Sequence, residues 1–146
     1  MPEYSAIVRT LTPEKFSEIL SASARKARET YFHRHNIRSP SSTGMPKAGA
    51  KNAVRAEKLF AALQTAQDER LCEEMLRTWL LTKRPMLAAA LDYLEVPHDN
   101  GLTDSDDVAK IEKLSKREVS TLLAKLESVA GKEDAAIYLK FMGVTI

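Results

Sequence analysis

LCEEMLRTWLLTKRPMLAAALDYL, residues 71–94, contains the apolar residues on which the fold prediction rests. Up to Leu80 its apolar residues recur every three or four positions, which is the spacing of one helix face. After Pro85, a residue that fits the first turn of a new helix, they lie on nearly all sides, as in a helix buried at the centre of a protein. We therefore expect the buried core at Leu71, Met75, Leu76, Trp79, Leu80, Leu87 and Leu91.

Start signals for further helices flank this stretch on both sides. Thr12 and Pro13 match an N-cap hydroxyl followed by proline in the first turn. Ser115 and Glu118 match the S-x-x-E capping box. No segment alternates apolar and polar residues for long enough to predict a β-strand. The sequence predicts an all-α fold, a single-domain bundle of about six to seven helices that spans residues 1–146.

One long loop divides the predicted bundle. We expect an N-terminal helix over 13–36, a flexible loop over 37–50 and a helical body over 51–143. The loop, IRSPSSTGMPKAGA, is rich in Pro, Ser and Gly and shows no periodicity. A tethered amphipathic helix of this kind is suited to packing on another chain as well as on its own.

Composition and charge indicate an ordinary globular protein with an uneven charge distribution. Hydrophobic residues make up 44% of the chain and charged residues 29%. Residues 1–60 carry eleven Lys and Arg against five Asp and Glu, whereas residues 61–146 carry eleven against fifteen. A basic first half and an acidic second half favour attraction within one molecule or between two copies.

The single cysteine and the lack of a long apolar run bear on location. Cys72 has no second cysteine with which to form an intramolecular disulfide, which suits a reducing compartment. No window approaches the roughly 18 apolar residues of a membrane span, and the first residues do not resemble a signal peptide. We expect a cytoplasmic protein that does not contact a membrane.

Catalytic and metal-binding patterns are missing from the sequence. His33 and His35 point to different faces of a helix, so they do not share an ion there. Asp99 begins an acidic stretch, but Gly101 falls in the wrong register for an EF-hand loop. No nucleophile elbow, phosphate-binding glycine loop or paired cysteine motif occurs. The sequence predicts no metal and no cofactor, and it favours binding over catalysis.

Two groups of residues are candidates for a binding surface. The first is basic and surrounds the predicted end of the N-terminal helix, where cations also complement the helix dipole. It consists of Arg25, Arg28, Arg34, His35 and Arg38. The second is the turn that follows Pro97, which consists of His98, Asp99 and Asn100.

These observations favour a non-catalytic helical protein-interaction module that self-associates as a homodimer through its N-terminal helix. The alternative is a nucleic-acid-binding protein that uses the basic segment 25–38. In that case the arginines contact phosphates, while Tyr31, Phe32 or His33 stacks on unpaired bases.

Overall fold

The structure, a computed structural model, confirms the predicted all-α fold. It describes residues 3–37, 48–103 and 106–144, with side chains at these positions except 48–53 and 106–109. Within these ranges the chain forms eight α-helices and one 3₁₀ helix, and no β-strand. Seven of the eight α-helices are six to fifteen residues long, and α4 has sixteen.

Two compact units make up the chain, Glu3–Trp79 and Leu80–Ile146. The N-terminal unit contains the first five helices: α1 Tyr4–Arg9, α2 Pro13–Ser21, α3 Arg25–Arg34, α4 Ala48–Leu63 and α5 Glu69–Leu80, which ends at the boundary. The C-terminal unit contains the other four: α6 Arg84–Tyr93, the 3₁₀ helix Asp106–Lys113, α7 Lys116–Ala130 and α8 Lys132–Phe141. The single domain expected over residues 1–146 stays a prediction.

The prediction of a single N-terminal helix over 13–36 is wrong. It is two helices, α2 and α3, separated by a short turn at Ala22–Ala24. Thr12 caps α2 as predicted, since its side chain accepts a hydrogen bond from the backbone N–H of Lys15. Both helices pack against α4 of their own unit.

The predicted loop over 37–50 lies mostly outside the described residues. Ile37 is buried at its start, and α4 begins at Ala48, three residues earlier than the predicted helical body.

Buried apolar side chains hold the N-terminal unit together. The rings of Phe16 on α2 and Phe60 on α4 lie 4.9 Å apart between centroids. Ile19, Leu59 and Met75 are fully buried. The residues expected in the core are all buried: Leu71, Met75, Leu76, Trp79, Leu80, Leu87 and Leu91.

Helix α1 is capped from a distant part of the sequence. Its N-cap residue, Glu3, forms no side-chain cap. Instead the carboxylate of Glu69 accepts hydrogen bonds from the backbone N–H of Tyr4 at 2.7 Å and of Ser5 at 3.3 Å, and from the Ser5 hydroxyl. Because a negative charge is favourable at the N-terminus of a helix, Glu69 fixes α1 against the start of α5.

Helix α7 is the centre of the C-terminal unit, because it packs against both α6 and α8. The predicted capping box is present: Ser115 accepts from the backbone N–H of Glu118, and Glu118 accepts from that of Ser115. Lys83, just before α6, lies 3.3 Å from the buried carboxylate of Asp134 on α8.

Candidate functional site

Two cations of the basic candidate surface lie at the start of α3, not near the end of a long helix as expected. Arg25 and its neighbour Lys26 are exposed, and Arg28 is half-buried. Ala24, the N-cap residue, offers no side-chain acceptor, and the first turn contains no acid. Cations at this end oppose the helix dipole, but Glu29, one turn further along α3, attracts both Arg25 and Arg28.

Arg34 and His35, in contrast, are bound within the N-terminal unit. Nε of Arg34 and Nε2 of His35 each lie 2.9 Å from Oδ2 of Asp68. The other oxygen, Oδ1, accepts a hydrogen bond from the backbone N–H of Leu71 and so caps α5. Asp68 is buried, so this junction ties the C-terminal end of α3 to the N-terminal end of α5. Any ligand of Arg34 or His35 has to compete with Asp68.

The aromatic residues of the same segment are not available for stacking on bases. Tyr31 and Phe32 are both buried. The guanidinium of Arg55, on α4, lies 4.1 Å from the centroid of the Phe32 ring. Burial, and after it the carboxylate of Glu74, raises the pKa of Tyr31 to about 12. His33 is the one exposed aromatic side chain of this segment among the described residues. Arg38 lies outside them.

The second candidate, the turn at His98, Asp99 and Asn100, is organised by its own hydrogen bonds. Nδ1 of His98 accepts from the backbone N–H of Gly101 at 3.0 Å. The ring proton is therefore on Nε2, which donates to Asp92 at 2.7 Å. Asp99 and Leu102 pair through two backbone hydrogen bonds, with Asn100 and Gly101 at positive φ between them. These contacts are those of a connector, in which the His98 side chain and the backbone atoms of Asp99 and Asn100 take part.

Sequence reasoning missed a third surface, an open groove on the C-terminal unit. It has a volume of about 650 Å³ and lies between the 3₁₀ helix, α7 and the segment after α8. We call it the α7 groove. Its apolar lining consists of Ile111, Leu114, Val119, Leu123 and Val144.

Polar groups border this apolar lining. Lys116 and Ser120 on α7 and Glu112 on the 3₁₀ helix also line the groove. Glu112 lies against Gly143, where an added Cβ atom would be 3.3 Å from Oε1. The volume falls in the range of small-ligand pockets, and the open shape with an apolar strip is typical of grooves that bind a helix.

The apolar face of α7 is only partly covered by its own unit. Five apolar residues, at 119, 122, 123, 126 and 129, span about 120° of the helix, which is the width of one ordinary apolar face. Leu122 and Leu126 are fully buried in the unit, whereas Val119 and Leu123 are half-buried and Val129 is 46% exposed. The part of this face that the unit leaves half-exposed, at Val119 and Leu123, lines the groove, and nothing in the spacing distinguishes it from the buried part.

We examined the described parts of the chain for a metal site, a reactive thiol and a membrane-spanning helix. No group of three or more His, Cys, Asp or Glu side chains there is placed to hold a metal ion. Cys72 is buried, and burial raises the pKa of its thiol to about 12, so it is not a ready nucleophile. None of the helices described combines the length and the apolar character that crossing a bilayer requires.

Comparisons with protein-family models, with curated proteins and with solved structures find no match to this chain.

Proposed function

We propose that the protein is a non-catalytic helical protein-interaction module and that it binds an amphipathic helix in the α7 groove. The observation that carries this proposal is the apolar wall of the groove, formed by Val119 and Leu123 beside Ile111, Leu114 and Val144. Covering such a wall with the apolar face of a helix removes both from water, which is the main source of affinity in helix-in-groove binding.

The N-terminal helices are a poorer candidate for the contact than the sequence suggested. The apolar stripe of α2, which includes Phe16, Ile19 and Leu20, is already buried in its own unit. Exchanging α2 with another chain would expose this stripe before any new contact formed. The α7 groove requires no such opening.

A cytoplasmic location and a homodimer belong to the same proposal. The location rests on the sequence alone, since one cysteine suits a reducing compartment. The homodimer rests on the charge difference between the two halves of the chain and on the frequency of twofold assemblies.

Photo-crosslinking tests the groove directly. A p-benzoylphenylalanine replaces Ser120, which lines the groove, or Thr121, which is exposed beside it. We expect the probe at position 120 to crosslink to the protein that supplies the bound helix, which gives a covalent adduct of discrete mass. The probe at position 121 should give no adduct. Leu123→Asp should remove the adduct, because it places a charge in the apolar wall, whereas Ala124→Asp on the exposed side should not. Absence of an adduct from both positions would overturn the proposal.

Nucleic-acid binding is the second candidate, favoured by the exposed cations at the start of α3. Arg25 and Lys26 are exposed, and Arg28 is half-buried beside them, with Glu29 attracting the two arginines. Because Tyr31 and Phe32 are buried, the contact would be to phosphates and not to bases.

Titration of a labelled single strand tests this second candidate. Three phosphate contacts should lose roughly twentyfold in affinity between about 50 and 200 mM salt. The Arg25→Ala/Lys26→Ala variant should bind more weakly at low salt. Lys58→Ala, an exposed cation on α4, is the matched control. Equal binding by the wild type and the double variant would exclude this surface.

A further inference from the structure

One line of residues along α7 carries opposite charges at its two ends. Lys116, Ser120, Leu123 and Glu127 are spaced four, three and four residues apart, so they follow one side of the helix. The first three line the α7 groove, and Glu127 is the next residue along the same side. Lys116 and Glu127 are about 16 Å apart along the axis, at 1.5 Å per residue. We call these four residues the α7 stripe.

The charges at the ends of the stripe are not engaged within the described structure. Neither Lys116 nor Glu127 forms an ion pair with a described residue. Nearby charges do have contacts in their own chain: Glu118 belongs to the capping box, and Lys125 lies 5.7 Å over the ring of Tyr93. The stripe therefore has a basic end at Lys116, a middle formed by Ser120 and Leu123, and an acidic end at Glu127. The first three residues line the groove, and Glu127 lies one turn beyond its lining.

Such a stripe is complementary to a second copy of itself when the two run antiparallel. Lys116 of each copy then meets Glu127 of the other, and Leu123 of each copy lies near the middle of the contact. A parallel arrangement would place Lys116 on Lys116 and Glu127 on Glu127. Twofold contacts use the same patch on both subunits, so one favourable pair occurs twice.

Given a helix-binding groove at α7, we infer that the helix it binds is α7 of a second copy of this chain, in antiparallel orientation, with Lys116 paired to Glu127 across the twofold axis. This step rests on the proposed function and names its partner. Ser120 is small enough to let the two helices approach closely. One short helix face and its flanks bury less than a standard interface, so the dimer is weak and depends on concentration.

Charge reversal tests the pairing, with sedimentation equilibrium up to about 500 µM protein as the readout because an interface of this size lies at the weak end. Lys116→Glu alone, or Glu127→Lys alone, creates two like-charge contacts per dimer and should weaken it by about tenfold or more. The double variant, Lys116→Glu with Glu127→Lys, restores both pairs and should return the dissociation constant to within about threefold of the wild type.

Two control variants separate the stripe from charge in general. Arg117→Glu makes the same charge change as Lys116→Glu in the same helical turn, but off the stripe, and should alter dimerisation by less than about threefold. Glu133→Gln removes an exposed carboxylate of α8 that is not part of the groove lining, and should also have a small effect. Circular dichroism of each variant shows whether it remains folded.

The outcomes separate this inference from the proposed function. A wild-type protein that stays monomeric throughout, or a double variant as weak as the single ones, would overturn the antiparallel dimer. The groove would still stand as a helix-binding site if the adduct from position 120 contained a different protein. No adduct and no dimer together would overturn both.

Discussion

Arg55 donates two hydrogen bonds to Glu29, at 2.8 and 2.7 Å, and so joins α4 to α3. Arg55 is buried, and its guanidinium also lies over the ring of Phe32. The Glu29 side chain is 46% exposed. The pair therefore has one partner that cannot regain water if the other is removed.

Replacing the carboxylate tests how much this pair stabilises the N-terminal unit. Glu29→Gln leaves the buried guanidinium of Arg55 without its anion, so we expect the free energy of unfolding to fall by about 1–3 kcal/mol. Urea denaturation at neutral pH measures the change. Glu57→Gln, an exposed acid on α4, is the matched control and should have little effect. Equal stability of both variants would show that the pair contributes nothing.

Acid should weaken the same contact in a defined direction. The hydrogen bonds from Arg55, and its positive charge, lower the pKa of Glu29 below its usual value of 4.5. A lowered pKa means that the ionised form is favoured in the folded state, so the stabilisation is full above about 4.5 and is lost as the pH falls through the folded-state pKa. The stability difference between wild type and Glu29→Gln should be constant near neutral pH and should shrink below 4.5. A difference that grew in acid would contradict this assignment.

Asp68 performs two tasks that substitutions separate. Asp68→Asn keeps an oxygen to cap the backbone N–H of Leu71 but loses the charge that binds Arg34 and His35. We expect it to lower the free energy of unfolding by about 1–2 kcal/mol, and Asp68→Ala by about 1 kcal/mol more, because the cap is lost as well. Thermal denaturation of the two variants provides the comparison. Identical losses would mean that capping adds nothing.

Two glycines at positive φ differ in the space around them. Gly101 has φ +87°, and an added Cβ atom would lie 2.9 Å from Cβ of Leu87 and 3.0 Å from the carbonyl oxygen of Arg84. Gly131 has φ +92° and nothing within 4 Å. Gly131→Ala should therefore cost about 1–3 kcal/mol from backbone strain alone, and Gly101→Ala about 1–3 kcal/mol more from the clash. Chemical denaturation measures both losses of stability. A larger loss for Gly131→Ala than for Gly101→Ala would show that α6 and the turn can move apart at little cost in free energy.

The buried thiol should be unreactive in the folded protein. Burial raises the pKa of Cys72 to about 12, so the thiolate is scarce at pH 8 and reagent has no access to it. A disulfide reagent should label the native protein slowly and the protein in guanidinium chloride at once. Rapid labelling under native conditions would indicate that α5 opens readily. If labelling is slow, new cysteines introduced on α7 can be modified selectively.

Local signals in the sequence predicted the features that depend on neighbouring residues. The Thr12 cap, the capping box at Ser115 and the buried core follow from side chains a few positions apart, and the structure has each of them. The turn between α2 and α3 contains Ala22, Ser23 and Ala24, which include neither glycine nor proline. The apolar spacing continues across it because both helices bury a face in the same unit.

Contacts between residues far apart in the chain could not be predicted from such local signals. Asp68 lies more than thirty positions from Arg34 and His35, and nothing in the residues around it indicates that they bind it. For the candidate surfaces, the sequence identified a cluster of cations but placed it at the end of one long helix, and it did not show that Arg34 is already paired with Asp68. The α7 groove depends on which part of the apolar face of α7 the unit covers, and the packing of the unit decides that.

The cap of α1 constrains the order in which parts of the chain can fold during synthesis. The carboxylate that receives the N–H groups of Tyr4 and Ser5 belongs to Glu69, 65 and 64 positions further along the chain. At about 5–20 residues per second, a ribosome adds Glu69 several seconds after it has made Tyr4. A six-residue helix is too short to persist alone in water. Helix α1 therefore gains its cap only after Glu69, at the start of α5, has been synthesised.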